Sequence, residues 1–227
     1  MKRLLVPAGL ATLTLLPACS SVSVRDYQHS ANVAKPAHVF VAPFETNGTF
    51  QVAGAKGDTA AFRQNVAKML NDYTVENVTR HVAPASKVAS AGAAPRAGWL
   101  VKGRFTRVST GSRGLRMLIG LGAGGSKMET SVEVIDLASN RGKPFMHFAT
   151  SGGSNAMPGL VTSGGPGVGA AYSMIYQAHN GVTDDAARTS RMIAAALSEY
   201  FGERGWIARD RVFRIKRPGE FQLIHGM

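Results

Sequence analysis

Cysteine is almost missing from this chain: Cys19 is the single one among 227 residues, so no internal disulfide staples the fold and a packed core must hold it. Carboxylates are scarce as well. There are 14 Asp and Glu against 26 Lys and Arg, a formal net charge of +12, and no acidic residue lies between Glu76 and Glu129. Aromatics amount to 7% of the chain and do not interleave with the basic residues, so the charge lacks the stacking platform of a nucleic-acid module and no nucleic-acid partner is expected. The six histidines, His29, His38, His81, His147, His179 and His225, form no His-Glu-x-x-His or other compact ligand pair, so no metal is expected. Neither a Gly-x-Ser-x-Gly elbow nor a Ser-x-x-Lys pair is present. His147, His179, Asp184 and Asp185 are the only acid–base residues worth naming, nothing positions a nucleophile beside them, and neither an enzyme nor a cofactor is expected.

What the chain does have begins at its amino end. Lys2 and Arg3 precede an apolar stretch from Leu4 to Leu16, which is broken by Pro7 and Gly9 and is shorter than the roughly 20 residues a membrane-spanning helix needs. Leu13-Thr14-Leu15-Leu16-Pro17-Ala18-Cys19 then resembles a bacterial lipoprotein export signal. That resemblance implies cleavage after residue 18 and lipidation of Cys19, including palmitate-type acyl chains. Each buried methylene contributes about 0.8 kcal/mol, so several chains hold a domain on a membrane. Ser20 after the cysteine resembles the sorting rule for the outer membrane, with the domain facing the periplasm.

The expected organisation is a signal peptide over 1–18, a lipid-attached tether over 19–37, one α+β domain over 38–217 and a tail over 218–227. Val39-Phe40-Val41 reads as a strand, and the glycines of 45–58 read as a loop. Phe62, Val66, Met69, Leu70, Tyr73 and Val78 recur at helical spacing, predicting a helix over 59–79 with Asn71 and Asp72 on its outer face. The Ala, Ser and Gly residues of 84–95 read as a mobile or loosely packed linker.

Strict alternation then marks two strands, 99–108 and 127–137, and antiparallel pairing would set Glu129 and Glu133 across from Lys102 and Arg104. Residues 144–150 supply a hairpin partner. A second helix is expected from Thr183-Asp184-Asp185 to Gly202, followed by a short edge strand near Val212, Phe213 and Ile215. The fold class expected is a small, mostly antiparallel sheet packed by two helices, in the order strand, helix, strands, helix.

Gly103-Arg104-Phe105, Gly111, Arg116, the run Gly120-Leu121-Gly122-Ala123-Gly124-Gly125-Ser126 and Val132-Glu133-Val134-Ile135-Asp136 follow one another in this order. That succession resembles the family of exported bacterial lipoproteins called domain of unknown function forty-four-ten, over 39–201 and most specifically over 100–136. The resemblance implies an exported α+β domain and brings no activity with it. The order of elements is also similar to that of the periplasmic domain of the curli-secretion lipoprotein, which builds an oligomeric outer-membrane pore.

Two features remain for function. Arg104, Arg107, Arg113 and Arg116 form either a surface for an anionic ligand, such as anionic lipid, cell-wall polymer or an acidic envelope protein, or an ordinary solvated face. Gly120, Gly122, Gly124 and Gly125 match a dinucleotide fingerprint as a string but precede a strand rather than a helix, which removes that reading. With Gly164, Gly165, Gly167 and Gly169 they mark two long connections, open to plain disorder, to packing in a homo-oligomer or to partial insertion in lipid. The expected function is a non-enzymatic binding or assembly role in the envelope. The alternative is a subunit of an oligomeric outer-membrane secretion or surface-assembly complex.

Overall fold

Trp99, Val101 and Phe105 alternate with Lys102, Arg104 and Thr106, and this period of two builds the central strand of the sheet. The structure, a computed structural model, describes residues 22–30, 33–52, 60–111, 125–139, 142–153 and 169–218, with side chains in the last segment from 181 onward. Its strands are β1 (Val22–His29), β2 (Val39–Val41), β3 (Thr49–Gln51), β4 (Ala85–Lys87), β5 (Trp99–Ser109), β6 (Lys127–Asp136) and β7 (Pro144–Gly152). The helices are α1 (Ala60–His81) and α2 (Gly169–Glu203).

The strands form one seven-stranded sheet in the order β1-β7-β6-β5-β2-β4, with β3 also on β5. β1, β7, β6 and β5 run antiparallel, whereas β2 is parallel to both β4 and β5, and β3 is parallel to β5. The sheet is therefore mixed and larger than the small antiparallel one expected. The parallel half arises because α1 carries the chain back between β2 and β4, a crossover that returns a strand in the same direction.

Three loop-like stretches turn out to be sheet. The expected tether contributes β1, whose Val22 and Val24 are buried and whose Tyr27 hydroxyl donates to the Ala196 carbonyl at 3.0 Å. The expected loop after β2 contains β3, and the expected linker contains β4 and a 3-10 turn, Ala91–Ala93.

Both helices lie on one face. Val66, Leu70 and Val78 of α1 and Ile193, Leu197 and Phe201 of α2 share one apolar cluster with Val39, Trp99, Phe105, Val132 and Phe148. Each such side chain contributes roughly 1.5–3 kcal/mol on full burial. A polar bond crosses the helix–helix seam, and Asn71 is buried instead of lying on the outer face. Asn71, Thr74 and Asn77 are buried, and Asn77 Nδ2 donates to Ser190 Oγ at 3.0 Å.

α2 begins before the expected Thr183, which lies inside it, with Asp185 buried and 4.0 Å from Arg188 Nη1. Gly202 does not stop it. The chain leaves the helix at Gly205, where φ is +67°; the Gly205 N–H donates to Gly202 O at 3.0 Å and the Trp206 N–H to Phe201 O at 2.9 Å. This pair of bonds is a Schellman cap, completed by the Trp206 ring 5.1 Å from that of Phe201. The segment beyond is a 3-10 turn, Arg209–Arg211, and an extended strap in place of the expected edge strand. Side-chain acceptors on α2 take its donors: the Phe213 N–H bonds Ser198 Oγ at 3.0 Å, while Lys216 O accepts from Val24 N–H at 2.8 Å.

Candidate functional site: the uncovered sheet face

Among the described residues the face away from the helices is covered at one corner, where Ala42, Leu100 and Ile135 pack with Phe40, Val88, Ala94 and Leu137. Elsewhere it carries three cross-strand rows of polar side chains. Lys102, Glu133, His147 and Gln28 stand in register across β5, β6, β7 and β1. Arg104, Ser131, Ala149 and Arg25 form the next row, and Arg107, Glu129, Ser151 and Ser23 the third.

Two carboxylates of this face, Glu133 and Glu129, are neutralised locally. Glu133 Oε2 is 2.9 Å from Lys102 Nζ, as the register expected from sequence requires. Glu129 stands across from Arg107 and pairs with Lys127 at 2.7 Å, so the expected pairing of Glu129 with Lys102 or Arg104 is not what forms. Burial pushes the Glu129 carboxyl up, but the Lys127 ammonium, the Ser151 hydroxyl and the Arg107 charge outweigh it and hold it below the usual carboxylate range.

The middle row differs. Arg25 and Arg104 are exposed, and among the described residues neither has a side-chain hydrogen bond or ion pair. Between them stand only Ser131 and Ala149, so two guanidinium forks flank a floor of small side chains. Three strand spacings separate them, about 14 Å. A groove of about 550 Å³ runs along this face, with Glu45, Ser90, Lys102, Arg104, Ser131 and His147 among its walls. His147 Nε2 is 3.3 Å from Ser131 Oγ, a contact across β6 and β7. Such a face offers planar, bidentate donors to phosphate or carboxylate groups.

Of the expected anionic-ligand residues, Arg104 and Arg107 lie on this face, while Arg113 and Arg116 lie outside the described residues. So do Cys19 and Gly120, Gly122, Gly124, Gly164, Gly165 and Gly167. Gly125 lies two residues before β6, and Gly169 is the first residue of α2. Arg25 was not expected in the site; the alternation Val22-Ser23-Val24-Arg25 is the signal that could have found it. Asp136, at the end of the family-like motif, is buried and accepts from Ala138 N–H at 3.1 Å and from the Ser139 hydroxyl. Its work is to hold the β6–β7 turn. Among the described residues no three His, Cys, Asp or Glu side chains gather as metal ligands, and no helix is long and apolar enough to cross a membrane.

None of the curated proteins matches the chain. Among solved structures it is similar to the PelC dodecamer from Paraburkholderia phytofirmans, at 13% identity over 74% of this chain and 96% of that one, with a TM-score of 0.37. A variant PelC dodecamer from the same organism gives 14% identity, 73% and 97% coverage and a TM-score of 0.36. Likeness at that level assigns neither assembly nor partner to this chain. The family model described as "Domain of unknown function (DUF4410)" matches residues 22–171, from the first residue of β1 through β7 to the start of α2. With well over half of its length matched, and in agreement with the succession of motifs in its sequence, the chain belongs to the DUF4410 family.

Proposed function

We propose that the chain is a non-enzymatic lipoprotein, tethered through Cys19 to the periplasmic side of the outer membrane, whose domain binds an extended anionic polymer of the envelope on its uncovered sheet face. The row Arg104, Ser131, Ala149 and Arg25 is the observation that supports this most. Two forks about 14 Å apart over a flat floor suit a chain of repeating phosphates or carboxylates better than one small molecule.

Delipidated protein carrying Arg25→Gln and Arg104→Gln tests the reading by co-sedimentation with isolated cell wall and, separately, with anionic vesicles. Each surface cation near an anionic surface is worth about 1 kcal/mol, so the double variant should bind cell wall roughly thirtyfold more weakly. Lys68→Gln, on the outer side of α1, is the control and should change little. Equal binding by the double variant and the parent overturns the assignment, and loss of vesicle binding alone transfers the ligand to lipid headgroups. A neighbouring subunit would cover the same face, which favours as second reading a subunit of an oligomeric secretion or surface-assembly complex. Its test is the mass of delipidated protein at high concentration, where a clean monomer counts against it.

A further inference from the structure

We infer that the end of the sheet at which β1 begins is apposed to the bilayer, so that the strands stand up from the membrane and the uncovered face looks sideways into the periplasm. The inference rests on the anchor proposed above. Cys19 lies three residues before Val22, and each residue spans at most about 3.5 Å, so the lipidated residue is held within about 10 Å of the sheet. Val22 is no loose start. It is buried and pairs with Gly152 of β7, which pairs in turn with Met128 of β6.

The register identifies everything that shares this end. Ser109 pairs with Lys127 and with Gln51, so β5 and β3 finish where β1 and β6 begin and where β7 finishes. The opposite end, marked by the pair Trp99 and Asp136 and by Ala138 in the turn beyond, lies eleven residues of β5 away, about 33 Å.

Charge at the near end suits a surface of phospholipid headgroups. Glu129 is compensated by Lys127 and Arg107, and Lys216 of the carboxyl strap lies against Val24. Uncompensated negative charge would oppose apposition to anionic headgroups, and Glu129, a described carboxylate at this end, is compensated.

The experiment uses full-length lipidated protein in phosphatidylethanolamine–phosphatidylglycerol vesicles that contain a nitroxide-headgroup lipid. Because acylation occupies Cys19, an introduced cysteine is the only reactive thiol; Ser109→Cys marks the near end and Ala138→Cys the far end, each carrying one fluorophore. Separations of about 10 Å and about 43 Å imply quenching about threefold or more stronger at position 109. A flexible spacer of about 15 residues inserted after Ser20 reaches about 20 Å and should cut that difference without releasing the protein. Equal quenching at both positions in protein that floats with the vesicles overturns the orientation alone. Protein that labels at Cys19 and stays in solution overturns the anchor, and the orientation with it.

Discussion

At Gly103 a single missing methyl group sets the sheet against its core. A Cβ there would come within 2.4 Å of Phe44 Cε1 and 3.1 Å of Ser131 O, and Phe44 is itself buried beside Phe105. Gly103→Ala is therefore expected to destabilise the domain by about 1–3 kcal/mol, read as a lower denaturant midpoint. The neighbouring Arg104 points to the other face, so the same three residues, Gly103-Arg104-Phe105, supply clearance, charge and core in turn. His81 is a second residue whose setting has a measurable consequence. Its ring stacks on Phe213 at 4.5 Å, and burial, with the charges of Arg80 and Arg191, holds its imidazole below the ordinary value of 6.5. The unfolded chain thus takes up a proton at higher pH than the folded one. Stability from this site is complete above the ordinary value and is lost as pH falls through the depressed one. His81→Phe keeps the stacking and removes the proton, so urea midpoints measured from about pH 7.5 to about pH 5 should fall less steeply in the variant.

Elements show where the sequence speaks and where it is silent. β5, β6, β7 and α1 were legible because each is long enough for its period to repeat, and Lys102 facing Glu133 followed from the alternation alone. β2 and β4 are three residues each and β3 is another three, too short to show a period, and alternation carries no information about strand direction. The parallel half of the sheet was invisible for that reason. β1 was lost because Asp26, at φ +52°, and the irregular register between Arg25 and Gln28 return Tyr27 to the inner side and interrupt the pattern after four residues. Asn71 was misplaced because a buried polar side chain violates the apolar stripe that amphipathicity assumes. The end of α2 was read one turn too early, since Gly202 is open on account of Val212, whose Cγ2 would lie 2.4 Å from an added Cβ, and the left-handed cap falls to Gly205. Gly205→Ala puts a side chain at a positive φ and should cost about 1 kcal/mol, seen as a lower thermal midpoint and a weaker near-ultraviolet signal from Trp206.

For the whole molecule, the decisive asymmetry is that both helices and the aromatic group of Trp99, Phe145, Tyr200, Phe201 and Trp206 lie on one side of the sheet. The site was half legible for the same reason: an exposed row depends on strand order, which no local pattern contains, so Arg104 was found and Arg25, its counterpart across Ser131 and Ala149, was not. Two adjacent residues of β6 separate what holds the fold from what meets a ligand. Val132 is fully buried on the inner side, and Val132→Ala should cost roughly 2 kcal/mol of stability while sparing the outer face. Ser131 points outward, and Ser131→Leu raises a branched side chain from the floor between the two guanidinium forks. Surface substitutions away from special features change stability by about 0.5 kcal/mol or less, so this variant should unfold at nearly the parent midpoint yet bind cell wall more weakly. If both residues instead lower stability and neither alters binding, the uncovered face is a solvated back of the sheet and the ligand must meet the protein elsewhere. The paired measurement decides this because one strand presents both faces, so any general loosening of β6 lowers stability in both variants, whereas a blocked contact shows in Ser131→Leu alone.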